Sequence, residues 1–370
     1  MAVRSTIYEV ARRSGVSTAT VSRVMAEGKG FSTETGERVR ATAAELGWVP
    51  NGPARGLASR RTGIVGLIFP DLGGGSGQAH EESALYVDQV IRGAERAATA
   101  AGDAVLIAAT QCASGRKLAF SLAGKADGLV ILARSLPDDD VVALSRIVPV
   151  VMLANRLARK GPDYVEADNR GGSRAMTAHL IGVHGYTDLI FLAGPEQSPD
   201  SEERFAGFRD ALAHAGLPEP DRPAASGEFT ETGGEVAVRG LLARGRRPRA
   251  IVCGNDEMAL GALTALRSAR LRVPGDVAVT GFDDISAARH VRPALTTVRQ
   301  PIRELGERSV RLLFDRIADR DRERRSVMLP TDVVIRRSCG CTSRPEARSR
   351  SARPEARSRP AGPMISQGSR

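Results

Sequence analysis

Seven short apolar runs punctuate the chain: "IVGLIFP" from Ile64, "AVLIAAT" from Ala104, "GLVIL" from Gly128, "VPVVML" from Val148, "DLIFLAG" from Asp188, "AIVCGND" from Ala250 and "VAVTGFD" from Val277. Each has strand length, and amphipathic helical patterns separate them. Continuous apolar strands alternating with helices predict parallel sheets covered on both faces, an α/β class of fold. Such sheets bind ligands at the carboxyl ends of their strands. The polar residues there are Asp71, Asn255, Asp256, Asp283 and Asp284. "GGGSG" (Gly73 to Gly77) also follows a strand, but it misses the G-x-G-x-x-G spacing, so no dinucleotide is expected.

Charge divides the chain differently. Residues 1–62 carry ten Lys/Arg against five Asp/Glu, residues 341–370 seven against two, and the stretch between them balances. The formal net charge of +10 therefore sits at the two ends of a neutral body, as when a nucleic-acid module is attached to something else. The last thirty residues repeat "RPEARSR" and read as a disordered basic tail. No leucine heptad predicts a coiled coil. No apolar run reaches the ~20 residues of a membrane span, and the opening "MAVRSTIYEV" lacks a signal-peptide apolar core, so a cytoplasmic protein is expected. The cysteines Cys112, Cys253, Cys339 and Cys341 are too few and scattered for a disulfide framework. Cys339-Gly-Cys341 suits a metal, but no second pair or histidine cluster accompanies it in sequence. The five histidines show no metal spacing, and His179 reads as decorating a helix end. Inert thiols, no metal and no cofactor are expected. No G-x-S-x-G, H-E-x-x-H or P-loop is present, so an enzyme is not expected.

The basic N-terminus contains "TIYEVARRSGVSTATVSRVM". Thr6 and Glu9 have the spacing of a capping box, and Ile7, Val10 and Ala11 form one apolar face. Gly15 ends that helix and Val16 plugs the turn. Ser17 caps a second helix from Thr18 to about Ala26, with Val21 and Val24 inward and Thr18, Ala19, Ser22 and Arg23 on another face. A third helix is expected from about Glu34 to Leu46, stopped by Gly47, with Trp48 closing the small core. Two helices joined by a four-residue turn make a helix-turn-helix, whose second helix enters a major groove. A helical hairpin with a solvated polar face has the same pattern.

That opening, continued by "VPNGPARGLASRRTGIVGLI", resembles the lactose-repressor (LacI/GalR-type) family of transcription regulators. The resemblance runs on through "RFAGFRDALAHAGL", "AIVCGNDEMALGAL", "VPGDVAVTGFDD" and "PALTTVRQPIRELG", over roughly residues 5 to 340. It implies a helix-turn-helix domain over 1–50, a hinge helix and linker over 51–62, and an effector-binding and dimerisation core over 63–340. The core would be periplasmic-binding-protein-like, with two Rossmann-like lobes joined by three crossovers. Lobe one would hold about 63–163 and 291–326, and lobe two the remainder.

The resemblance also implies roles. Thr18 and Ala19 would read bases with help from Arg23, while Thr6, Ser17 and Ser22 hold phosphates. Asn51 and Ala54 fall in the hinge, and Leu57 would wedge into the minor groove. Ala26 stands where many relatives have asparagine, and Gly56 lowers hinge-helix propensity. Arg204 would grip the effector, Asn255 and Asp283 would hold polar atoms, and Phe229 would supply an aromatic face. Arg204 and Asp283 are expected to face each other across the cleft. The family's asparagine-proline-aromatic motif is missing after the first strand, with Asp71 nearby and Tyr86 as the substitute aromatic. Ala154 and then Asn155 follow "PVVML" where many relatives have aspartate, implying an altered pocket. The partners implied are a double-stranded, pseudo-palindromic operator DNA, a small polar effector such as a carbohydrate, and a second copy of the chain. For each cleft residue alone, a surface salt bridge or turn cap is the competing role. A sugar-binding or transport receptor is the alternative reading of the whole.

Overall fold

The computed structural model describes residues 5–25, 29–49, 61–70, 84–110, 115–154 and 161–341. Three helices open it: α1 (Ile7–Ser14), α2 (Thr18–Met25) and α3 (Thr33–Glu45). Val10, Val21, Val24 and Val39 are completely buried between them, with Ala11 and Ala43. Each valine contributes roughly 1.5–3 kcal/mol relative to exposure. Val16 and Trp48 pack on the same cluster. Gly15 ends α1 in the left-handed conformation, φ 68°, and Ser17 Oγ accepts from Thr20 N at 3.1 Å. The capping box does not form: Thr6 is the N-cap of α1, but its side chain makes no capping hydrogen bond.

The body holds two six-stranded sheets. The first has the order β11-β5-β4-β3-β1-β2, from β1 (Ile64–Pro70), β2 (Ala104–Thr110), β3 (Gly128–Leu132), β4 (Val150–Leu153), β5 (Asp163–Ala167) and β11 (Ser326–Leu329). The second has the order β12-β10-β9-β8-β6-β7, from β6 (Leu189–Ala193), β7 (Ala225–Ser226), β8 (Ala250–Cys253), β9 (Ala278–Asp283), β10 (Thr296–Arg299) and β12 (Asp332–Val334). All pairings are parallel except β10 with β12. The seven apolar runs are the strands β1–β4, β6, β8 and β9, all interior except β2, which is an edge of the first sheet. The strands without such runs lie mostly toward the edges and are short or half polar. In β5, Asp163 is fully buried because Arg316 and Arg322 close on its carboxylate at 2.8 and 2.7 Å.

Helices cover both sheets: α4 (Ala84–Ala100), α5 (Arg116–Ala123), α6 (Asp138–Ser145) and α11 (Ile302–Ala318) on the first; α7 (Asn169–His184), α8 (Pro199–His214), α9 (Glu231–Ala243) and α10 (Asp256–Ser268) on the second. α4 and α11 meet at Gly93 and Gly306. A Cβ on either would strike the other helix's backbone, so only glycine permits this approach.

The chain passes between the lobes three times: after β5, between β10 and α11, and between β11 and β12. The expected lobe boundaries need correcting. Residues 291–299 belong to lobe two, since β10 pairs with β9, and β5 and β11 lie wholly in lobe one. The reason is register: β10 continues a parallel ladder that its few apolar residues do not announce. Beyond β12 the chain runs to the far end of α7, where Cys339 and Cys341 meet His179 and His184. The expectation that no histidines accompany the cysteine pair is thereby overturned, because folding joins segments about 155 residues apart in sequence.

Candidate functional site

On α2 the inward valines leave the opposite face free. Ser17, Ala19, Ser22 and Arg23 are exposed and Thr18 is half-buried, so these side chains share one outer surface. Arg23 Nε donates to Ala19 O at 3.4 Å, which lays its guanidinium along that face. Thr6 is exposed at the start of α1. Small side chains flanked by arginine can approach base edges without steric obstruction, and the arginine can reach a base or a phosphate. Asn51, Ala54 and Leu57 lie outside the described residues, as do Ala26, Gly56, Asp71, Asn155 and the tail 342–370.

The second site is a cleft between the lobes holding about 760 Å³ of empty space, part of it open to solvent. Lobe one contributes a mostly apolar wall, with Pro70 at the end of β1, Leu132 and Ala133 at the end of β3 followed by the exposed Arg134, and Ala154 after β4. Tyr86 and Val87 reach in from α4. Lobe two contributes most of the polar groups, among them Asp200 and Arg204 on α8, Asn255 at the start of α10, and Asp283 at the end of β9. Phe229 lines the cleft as well. Phe229 and Asp283 have positive φ, 62° and 119°, a cost that the surrounding structure sustains at positions aimed into a cleft.

Arg204 is 3% exposed and anchors a network. Its Nε donates to Asn169 Oδ1 at 2.8 Å and its Nη1 to Gly254 O at 2.6 Å. Asn169 Nδ2 donates to Asp200 at 2.7 Å. The guanidinium lies 3.9 Å from the centre of the Phe282 ring and 5.7 Å from that of Phe229. Asp283 lies 3.6 Å from Arg204 Nη1, and its Oδ1 accepts from Gln300 Nε2 at 2.6 Å. Arg204 and Asp283 therefore do not face each other across the cleft. Both belong to lobe two, where the end of β9 lies beside α8, and they form a buried ion pair on one wall.

Burial sets the protonation of this wall. It raises the Asp283 carboxyl to about 6 despite Arg204 and Gln300, which pull the other way. Burial also raises the carboxyl of Asp200. The Tyr86 hydroxyl is pushed above its ordinary value by burial first and by Asp200 next, so it remains a phenol able to donate. Asn255 plays the cap role as well: its Oδ1 accepts from Met258 N at 3.0 Å and its Nδ2 donates to Phe229 O at 2.9 Å. Asp256 and Asp284, also at strand ends, are taken up by the fold. Asp256 binds Ile285 N, and Asp284 binds Arg299 and Arg336.

Three residues of the network escaped the sequence reading. Asp200 stands four before Arg204, the spacing that puts two side chains on one helical face, and that signal was available. Asn169 and Gln300 gave none, since both sit at lobe crossings that were not located.

The chain's N-terminal residues 6–51 match the family model of bacterial regulatory proteins, lacI family, and residues 177–339 match that of a periplasmic binding protein-like domain. Among curated proteins it is 35% identical to the HTH-type transcriptional regulator GalR of Escherichia coli (strain K12), covering 80% of this chain and 85% of that one. It is 34% identical to the HTH-type transcriptional regulator CelR of Thermobifida fusca, over 90% and 98% of the two chains. It is 31% identical to the ribose operon repressor of Escherichia coli (strain K12), over 90% and 99%. Among solved structures, the lac repressor dimer bound to operator and the anti-inducer ONPF superimposes with a TM-score of 0.78 at 28% identity, covering 91% of this chain and 99% of that chain. The complex of the transcriptional regulator CelR with cellobiose superimposes at 0.66 and 33% identity, covering 90% and 100%. With helix-turn-helix and two-lobed core matched in the same order along relatives of nearly the same length, the chain belongs to the lacI family of bacterial regulatory proteins.

Proposed function

We propose that this protein is a sequence-specific transcription repressor that binds operator DNA as a homodimer and is switched by a sugar or related polar metabolite held between the lobes. The observation that carries the reading is the division of the cleft. A mostly apolar wall with Tyr86 and Arg134 faces a wall that holds Asp200 and the buried Asp283, Arg204 and Asn255. A sugar has that duality, with C–H faces that pack on apolar and aromatic surfaces and hydroxyls that both donate and accept. Arg204 donates and Asp283 accepts from the same wall, which suits neighbouring hydroxyls of one ring. The relatives named for ribose and the structure with cellobiose support this class of ligand. A transport receptor would have no use for the exposed face of α2.

The effector acts by binding unequally to the DNA-competent and released states. The test is selection of binding sites from a random DNA pool, followed by a panel of mono- and disaccharides added to the protein on its selected site. A pseudo-palindromic motif and at least one sugar that changes affinity are expected. No enriched motif, or no response to any sugar, would overturn the corresponding half.

Leu57 is proposed as the apolar wedge at the operator centre. Leu57→Ala should weaken operator binding by a few kcal/mol, about the cost of an unstacked step, and leave binding to random DNA nearly unchanged, because phosphates dominate the latter. Titration of both DNAs measures this, and equal loss on both would remove the residue from that role.

The Asp283 carboxyl gives a pH dependence. As a carboxylate it accepts hydroxyl hydrogens, so effector affinity should fall as pH drops through about 6. Its folded value lies above its unfolded one. It therefore stabilises the effector-free core most at acid pH and loses that contribution as pH rises through about 6. Calorimetric titration at about pH 5 and about pH 7.5 checks the first point, and Asp283→Asn should flatten the difference.

A further inference from the structure

Two sulfurs and two imidazole nitrogens converge where the end of the core crosses the end of α7. His179 and His184 come from that helix, and Cys339 and Cys341 from the segment beyond β12. Their ligand atoms all lie within 4.8 Å of one another. Cys341 Sγ is 3.4 Å from His184 Nε2 and 3.6 Å from His179 Nε2. A tetrahedral zinc with bonds of ~2.3 Å to sulfur and ~2.0–2.1 Å to nitrogen sets a sulfur–nitrogen edge of about 3.5 Å. These two edges already have that length. The four residues between the histidines also fall within the three to five usual for zinc-binding pairs.

We propose that His179, His184, Cys339 and Cys341 form a structural zinc site that fastens the end of the core to lobe two. With four protein ligands the tetrahedron is closed, which marks a structural site. Two thiolates balance the metal's charge and two neutral imidazoles complete it, so a neutral unit is left at a partly buried position.

The surroundings are those of a built site. Gly340 joins the thiols at φ 112°, a conformation side chains rarely adopt, and a Cβ there would lie 2.9 Å from the Tyr186 hydroxyl. That glycine lets both sulfurs turn to one side. The Tyr186 hydroxyl donates to Cys339 O at 3.0 Å, and its ring stacks on His184 with centroids 5.1 Å apart. Arg249 Nη2 donates to the same hydroxyl at 2.9 Å and so holds the tyrosine in place. The Thr296 hydroxyl donates to Cys339 Sγ at 3.2 Å. Such partners orient ligands and raise metal affinity.

The site lies at the end of α7 opposite Asn169, which belongs to the effector network. The helix that joins them, Asn169–His184, is 16 residues long, and His179, its nearer ligand, lies about 15 Å along it from Asn169. The metal would therefore act on the stability of lobe two rather than contact the effector.

The full chain, purified without a polyhistidine tag, is expected to contain about one zinc per chain by elemental analysis. Cys341→Ser and His184→Ala should each lower the content at least about tenfold. Cys253→Ser, altering a thiol in another cluster, should leave it unchanged. Replacement of zinc by Co(II) should give the visible absorption of tetrahedral thiolate-bound cobalt, absent in Cys341→Ser. Chelation should lower the melting temperature of the unaltered protein and not of the two ligand variants. If those variants do not fold, the cobalt spectrum of the unaltered chain decides. A folded, unaltered chain with no stoichiometric zinc and no cobalt–thiolate absorption overturns the proposal. So does an intact mass two hydrogens short with neither terminal thiol reactive, which would mean a Cys339–Cys341 disulfide.

Discussion

An Arg204→Ala protein is expected to lose its effector-dependent change in operator affinity while keeping its affinity for the operator alone. Arg204 is 3% exposed, and it serves Asn169 and Gly254 and lies beside Asp283. Removing the guanidinium leaves polar groups of the bound effector buried without that donor, which costs about 1–3 kcal/mol, a factor of roughly five to 150 in effector affinity. Coupling between effector and DNA is typically about 1–3 kcal/mol, so a loss of that size removes the response at concentrations that saturate the unaltered protein. Stability should fall too, toward the ~3–5 kcal/mol of a broken buried pair. Burial already biases Asp283 and Asp200 toward holding protons, and proton uptake softens that loss. Arg204→Lys keeps the charge but not the planar fork and should fall between. Operator titrations with and without the sugar found in screening, alongside thermal unfolding, make the measurement. A response like that of the unaltered protein would place Arg204 in the fold of lobe two and outside effector recognition.

Replacing Thr18 and Ala19 together should change which DNA is bound. A small apolar side chain at 19 suits the methyl group of thymine, whereas asparagine pairs with adenine and arginine with guanine. Each mismatched base pair costs about 1–3 kcal/mol, and a two-fold dimer incurs it in both half-sites. Thr18→Arg with Ala19→Asn should therefore weaken binding to the original operator by at least about 2–6 kcal/mol, the cost of one mismatched pair per half-site, and enrich a different palindrome from a random pool. Neither side chain belongs to the buried valine cluster, so the fold of the domain should be unaffected. An unchanged motif would mean that α2 is not the reading helix.

Local patterns carried far in this protein because each recorded a local cause. The valines of α1 and α2 sit at helical spacing since one face must be buried, and the polar face of α2 follows from where they point. Six of the seven apolar runs are interior strands, legible because a strand covered on both faces is apolar throughout; the seventh, β2, is an edge strand. Arg204, Asn255, Phe229 and Asp283 were recognisable from resemblance and lie in one cleft.

Other features depended on residues brought together from a distance. Strand β10 carries threonines and an arginine, and it was placed in the wrong lobe because its pairing with β9, not its composition, assigns it. The pairing of Arg204 with Asp283 on one wall came from the packing of α8 beside the end of β9, and the raised carboxyl of Asp283 came from burial that a string of letters does not record. The convergence of His179 and His184 with Cys339 and Cys341 is the clearest case: the cysteine pair stood out in sequence, the zinc spacing of His179 and His184 did not, and only the closure of the final segment on α7 brought the four ligand atoms together. Periodicity and capping act over a few residues and are written in order along the chain. Pair distances, burial and ligand geometry arise between segments whose separation in sequence bears no relation to their separation in space.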